Sequence, residues 1–253
     1  MLVLKLSSKE ERNMDAITSL TDTWLPLLVA ALVQASLALG VSLLTLLSGQ
    51  ALASRTVRKS NLNRLSGFYI LGYFLFTLTA VINLSYVFLR FDWRFLDEIW
   101  AWLAIFAILV GYVILLFYYR KTGKGTTLWL PRSAAKYLFN QTRRVKNPFE
   151  AFLLGVASVL AELLFVVIPI TVAALTVSVM IDDLQFVGIL VYSVVATIPL
   201  AILWWIQASG GKLSIFQRWR EKNKPFLQII SGLLMITLGL YLLILKSLGG
   251  RVW

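Results

Sequence analysis

Glu162 is the one ionisable residue in the thirty positions that follow Glu150. Its surroundings read PFEAFLLGVASVLAELLFVVIPITVAALTVSVM, from Pro148 to Met180. A carboxyl group in such a stretch has two kinds of chemistry open to it: taking up and releasing a proton, or balancing a cation. Gly155, Glu162 and Pro169 are seven residues apart and share one face of a helix, with Ser158 one turn before Glu162. Burying a carboxyl at the centre of a bilayer costs several kcal/mol, and more if it stays charged. The group is therefore either neutral or met by a cation, a watery cavity or polar partners. A second reading stays open: a neutral, hydrogen-bonded glutamic acid that holds helices together.

The candidate partner is Gln34. With Ala38, Ser42, Thr45 and Gly49 it falls within about 80° of arc on a helix. Gly72, Thr79, Asn83 and Tyr86 likewise share a face in another apolar block. Substrate- or ion-binding candidates are thus Glu162, Gln34, Ser158, Pro169, Ser42, Thr45 and Asn83. The competing account of the small and hydroxyl residues is close helix packing. No Lys or Arg lies inside any apolar block, so an ion pair within the blocks is not available to Glu162. With no Cys and no His, thiol redox chemistry, imidazole proton transfer and metal ligation by those groups are excluded. There is no glycine-rich phosphate loop, and the Asp182–Asp183 pair has no partner nucleophile. Neither enzymatic activity nor a cofactor or metal is expected.

The elements that must position these residues are long apolar helices. The chain has 253 residues, 59% of them hydrophobic, against about 45–50% in soluble domains. The excess is concentrated in six blocks: Trp24–Leu47, Gly67–Leu89, Glu98–Tyr118, the stretch around Glu162, Leu184–Ile206 and Phe226–Leu245. Each has about the 20 residues that a span requires. Ala151–Val179 would make a helix of about 43 Å, longer than a ~30 Å hydrocarbon core, with a kink expected at Pro169. The fold class is therefore all-α: a single polytopic membrane domain over residues 1–253.

Trp24, Trp93, Trp100, Trp102, Tyr118, Tyr119, Trp204 and Trp205 stand at block ends, as interface anchors do. Lys and Arg number seven on one side of the blocks and seventeen on the other. Positive loops stay cytoplasmic, so both termini are expected outside, in a cytoplasmic membrane of the bacterial type. The net charge of +12 is read as basic loops meeting anionic headgroups, with no nucleic acid partner. Met1–Thr23 is polar and mixed in charge, so no cleavable signal peptide is expected, with Met14 an alternative start. In the basic loop 119–149, Gly123–Gly125 is a flexible break. Beyond it, Leu130, Ala134, Leu138 and Phe139 fall near one face, with Arg132, Lys136, Arg143 and Arg144 around them. That is an amphipathic helix in the membrane interface or a docking surface for a cytoplasmic partner.

Two halves, about 24–118 and 148–246, share a layout of three spans. VAALVQ in the first span parallels VASVLAE in the fourth. An odd number of spans per half inserts the second half upside down. That predicts a 3+3 inverted repeat with a site between the first spans of each half. The closing block, LQIISGLLMITLGLYLLI at Leu227–Ile244, and the junction VRKSNLNRLSGFYILGYFLFTL resemble the superfamily of LysE-type lysine exporters and CcdA/DsbD cytochrome c biogenesis domains. The resemblance implies the six-span scaffold and export of a small solute. Its electron-transferring members carry a Cys in spans one and four; here the segments read LVQASLALGV and SVLAELLFVVIP, which excludes that chemistry. Two functions are expected from these readings. One is a transporter or exporter of a small cationic or zwitterionic solute, proton-coupled through Glu162. The other is a non-catalytic membrane scaffold or accessory subunit of a larger membrane complex, for which a co-purifying partner protein speaks and a lone homo-oligomer does not. The partners expected overall are a small solute, the lipid bilayer, and a second copy of the chain or a membrane partner protein.

Overall fold

The structure is a computed structural model that describes residues 23–37, 44, 47, 59–90, 93–117, 119–122, 125–128, 138, 140–142, 145, 147–210, 218–219 and 222–248. Seven helices of ten residues or more occur among them: α1 Leu25–Ser36, α2 Lys59–Phe88, α3 Trp93–Phe117, α4 Pro148–Ala161, α5 Leu163–Ser178, α6 Asp182–Ala208 and α7 Lys224–Leu248. Prolines stand in the first turn of three of them: Pro26 in α1, Pro148 in α4 and Pro225 in α7. Proline suits the first turn, where its missing N–H has no partner to lose. At the start of α4, the Glu150 carboxylate also accepts from the Asn147 backbone N–H at 3.4 Å. Asp182 and Asp183 stand exposed in the first turn of α6, where the helix end favours negative charge.

Four helical segments are long and apolar enough to cross a membrane: Asn61–Phe88, Glu98–Leu116, Asp182–Ala208 and Pro225–Leu245. They fall on four of the six expected blocks. The fourth block departs from expectation. It is not one helix kinked at Pro169 but two helices, α4 and α5, meeting at an angle of 86°. The break is at Glu162, seven residues before the proline. Pro169 is buried inside an intact α5, since a proline removes only one helical N–H from the ladder. At Glu162 the backbone leaves the helical region (φ −89°, ψ 8°). The N–H groups of Phe165 and Val166 both turn onto the Glu162 carbonyl, at 2.8 and 3.0 Å. Either arm alone, at about 21–24 Å, is shorter than the ~30 Å core. The first block is also interrupted: α1 ends at Ser36, and Leu37 is extended (φ −69°, ψ 144°). Farther along that block, Leu44 and Leu47 are helical and buried.

Helix pairing explains the break. α4 lies along α2 so closely that a Cβ on Gly72 would sit 2.1 Å from the Phe152 carbonyl oxygen. A Cβ on Gly155 would sit 2.0 Å from that of Tyr69. α5 instead crosses α1 and α2 and touches α3 and α6. One straight rod cannot follow both courses. α3 and α7 form a second glycine-mediated pair through Gly111, Gly232 and Gly239. Small residues let backbones approach where no hydrophobic force separates helix from lipid. The bundle closes with α1 against α6 and α7, and α2 against α6.

The basic loop departs from the expected all-helical plan. Tyr119–Thr122 pairs antiparallel with Gly125–Leu128 as a short hairpin, with Thr122 opposite Gly125. Gly125, the end of the expected break, opens the second strand, and residues 123 and 124 lie outside the described residues. Residue 138 and residues 140–142 are helical, and Leu138 is buried in the core. Arg132, Lys136, Arg143 and Arg144 of the expected interfacial helix lie outside the described residues.

Candidate functional site

The polar interior is built on α2. Ser66, Tyr69, Tyr73, Thr77 and Ser85 are all buried; spacings of three and four residues keep the first four on one stripe, and Ser85 is set off to its side. Ser66 anchors one end, donating to Gln207 Oε1 of α6 at 3.2 Å. Ser85 anchors the other, donating to the Ala174 carbonyl of α5 at 3.1 Å. Between them, Tyr69, Tyr73 and Thr77 face Gln34 of α1, Ser158 of α4, Glu162 at the elbow and Tyr192 of α6.

Gln34 is the hub. It is 1% exposed, and every part of its amide is engaged. Its Nε2 donates to Thr77 Oγ1 at 3.1 Å and to the Tyr73 hydroxyl at 3.3 Å. Its Oε1 accepts from the Tyr192 hydroxyl. An amide offers two donors and one acceptor oxygen, so these three bonds tie α1, α2 and α6 together. Ser158 donates to the Gly155 carbonyl at 2.6 Å, which spends its only proton. Ser158 also shares a side-chain hydrogen bond with Tyr69. The Glu162 side chain, 1% exposed, acts electrostatically on both Tyr69 and Tyr73. Tyr73 is thus influenced by the carboxyl group and hydrogen-bonded to Gln34. Beside Tyr192, the buried Ser193 hydroxyl has no hydrogen-bond partner among the described residues.

Glu162, Gln34 and Ser158 thus meet in one cluster. Gln34 reaches the carboxyl group's surroundings through Tyr73. Pro169 is buried about 10 Å along α5 from the elbow. Ser42 and Thr45 lie outside the described residues. Asn83 is a correction: it is exposed, and its amide donates to the Thr79 carbonyl one turn back. The expected stripe Gly72–Thr79–Asn83–Tyr86 is covered by α4 only at Gly72. Farther along it turns outward, where Tyr86 is 56% exposed and the Arg90 guanidinium lies 4.6 Å from its ring centroid. The inward stripe is displaced around the helix. Tyr69, Tyr73, Thr77 and Tyr192 were not among the candidates. A signal existed for Tyr73 and Tyr192, because tyrosines well inside a span lie far from the interface where such rings normally sit.

Among the described residues no group of three Asp, Glu, His or Cys side chains is placed to hold a metal. The arrangement offers one carboxyl group, three phenols, two hydroxyls and an amide, enclosed by apolar helices. It can store a proton or neutralise one positive charge. No protein-family model, curated protein or solved structure matches the chain.

Proposed function

We propose that the protein is a membrane transporter or exporter of a small cationic or zwitterionic solute, with Glu162 as the group that exchanges proton and solute charge. The observation that carries this reading is the buried Glu162 side chain at an 86° helix break, beside the Gln34–Tyr73–Tyr192 network. Interrupted spans are where transporters put their binding sites, because freed backbone and polar side chains are tolerated only inside such a site.

The packing supports a 3+3 inverted repeat. Let the first span exchange with the fourth, α2 with α6, and α3 with α7. The α2–α4 contact becomes α6–α1, α1–α7 becomes α5–α3, and α2–α6, α3–α7 and α1–α5 map onto themselves; all of these pairs are in contact. Both first spans are interrupted, at Leu37 and at Glu162. The reading also includes six spans in all, termini outside, basic loops against anionic headgroups, and the LysE/CcdA-type plan.

The test is flux in proteoliposomes under an imposed pH gradient, screening amines and amino acids for wild type and Glu162→Gln. Coupled flux is expected for the wild type, with its pH dependence lost in the variant. Unchanged, still pH-dependent flux removes the role of Glu162. Absence of flux together with a stoichiometric co-purifying membrane protein favours the scaffold function instead.

A further inference from the structure

The elbow has two sides. The inner side holds the Glu162 cluster. The outer side, between α3 and the α4–α5 bend, is a groove of about 990 Å³. Its walls include Phe106 and Val110 of α3, Leu160 and Ala161 of α4, and Leu163 and Thr171 of α5. The single hydroxyl among its lining side chains belongs to Thr171, and it is spent on the Val167 carbonyl at 2.7 Å. Phe106, Leu160 and Leu163 remain about half exposed, so the groove opens sideways along a face that meets acyl chains in a spanning protein. Ala161 and Leu163, which flank Glu162, both line it. The residue of irregular backbone between them is Glu162 itself, the one ionisable residue in the thirty positions that follow Glu150.

We propose that the solute is a lipophilic organic cation, an ammonium group on a hydrocarbon body, and that it reaches Glu162 laterally from the bilayer through this groove. The inference rests on the transporter reading above and narrows its substrate class. Two complementarities carry it. The groove gives a water-soluble zwitterion nothing to hydrogen-bond, whereas a hydrocarbon body loses nothing on moving there from lipid. The apolar blocks contain no Lys or Arg, so positive charge at Glu162 can come from the ligand, with three phenol rings nearby that favour a cationic head. The chain carries a net +12, concentrated in loops. The positive excess lies on the side with seventeen Lys and Arg, so a cation arriving from water on that side is repelled, and one arriving through lipid is not.

The experiment measures binding of butyl-, hexyl- and octyltrimethylammonium to the full chain in phosphatidylcholine nanodiscs, with partition into empty nanodiscs subtracted. Referred to the aqueous concentration, affinity is expected to rise about fourfold per methylene. Octanol should not compete. Glu162→Gln should lower affinity at least about tenfold at every chain length. Leu103→Trp, which fills the groove from α3, should abolish the gain with chain length. Affinity that is flat with chain length in the wild type overturns the inference without needing any variant to fold. Octanol competition with no effect of Glu162→Gln also overturns it, and makes the groove a seat for any acyl chain. Glu162-dependent choline flux alongside flat chain-length dependence refutes lateral access while the transporter reading survives.

Discussion

Gly155→Ala should both destabilise the bundle and disturb the carboxyl site, because the α2–α4 contact serves both. The added Cβ would lie 2.0 Å from the Tyr69 carbonyl oxygen and 2.9 Å from the Tyr73 amide nitrogen. Carbon–oxygen contacts relax at about 3.3 Å, so the helices must part by about 1.3 Å at the crossing. Overpacking of this kind costs about 1–3 kcal/mol. Alanine's better helix propensity returns about 0.8–1.0 kcal/mol. The net expectation is a loss of about 0–2 kcal/mol. The same movement carries Tyr69 and Tyr73 away from Ser158 and Glu162, so Glu162-dependent flux should fall as well. Gly67→Ala is the control, since its Cβ would meet only Trp204 Nε1, at 3.8 Å. There the propensity term stands alone, and stability should hold or rise by up to about 1 kcal/mol. Thermal unfolding of both variants in one detergent, followed by tryptophan emission, reads the difference. Equal midpoints would refute backbone contact at the α2–α4 crossing.

Three further outcomes follow from the same contacts. Gln34→Leu removes the hub of three buried hydrogen bonds and should cost about 1–3 kcal/mol in thermal unfolding, through the phenols and hydroxyl left unsatisfied; a midpoint equal to wild type would show that the network is not formed. Asn83→Ala, at an exposed position with only a local bond, should change stability by less than about 0.5 kcal/mol and leave flux intact, whereas lost flux would return Asn83 to the site. Because the chain has no native Cys, single cysteines report topology cleanly. An impermeant maleimide should label Asp183→Cys in intact cells and Lys222→Cys only after permeabilisation, and the reverse pattern would invert the proposed orientation.

The sequence by itself determined what depends on local composition. Apolar run length located the four long spans to within a few residues at most ends, because bilayer thickness sets that length whatever the neighbours are. The ends were less legible: α2 starts at Lys59, eight residues before the expected Gly67, since a helix can run past the hydrocarbon into polar sequence. A lone acid in a thirty-residue apolar stretch is likewise visible without any partner, and the Glu162 side chain is buried. What only the tertiary structure decided is which way each face points. In water, the hydrophobic face of a helix marks its interior; in lipid, inside and outside are both apolar, and periodicity no longer separates them. That is why the stripe through Asn83 was read as interior while the stripe through Tyr69, Tyr73 and Thr77 was passed over. The elbow is of the same kind. Pro169 is a local signal for a bend, yet the chain turns at Glu162, where α4, held against α2 at Gly72 and Gly155, gives way to α5, which crosses both α1 and α2. Those contacts join residues eighty and more positions apart, and no window of sequence contains both partners.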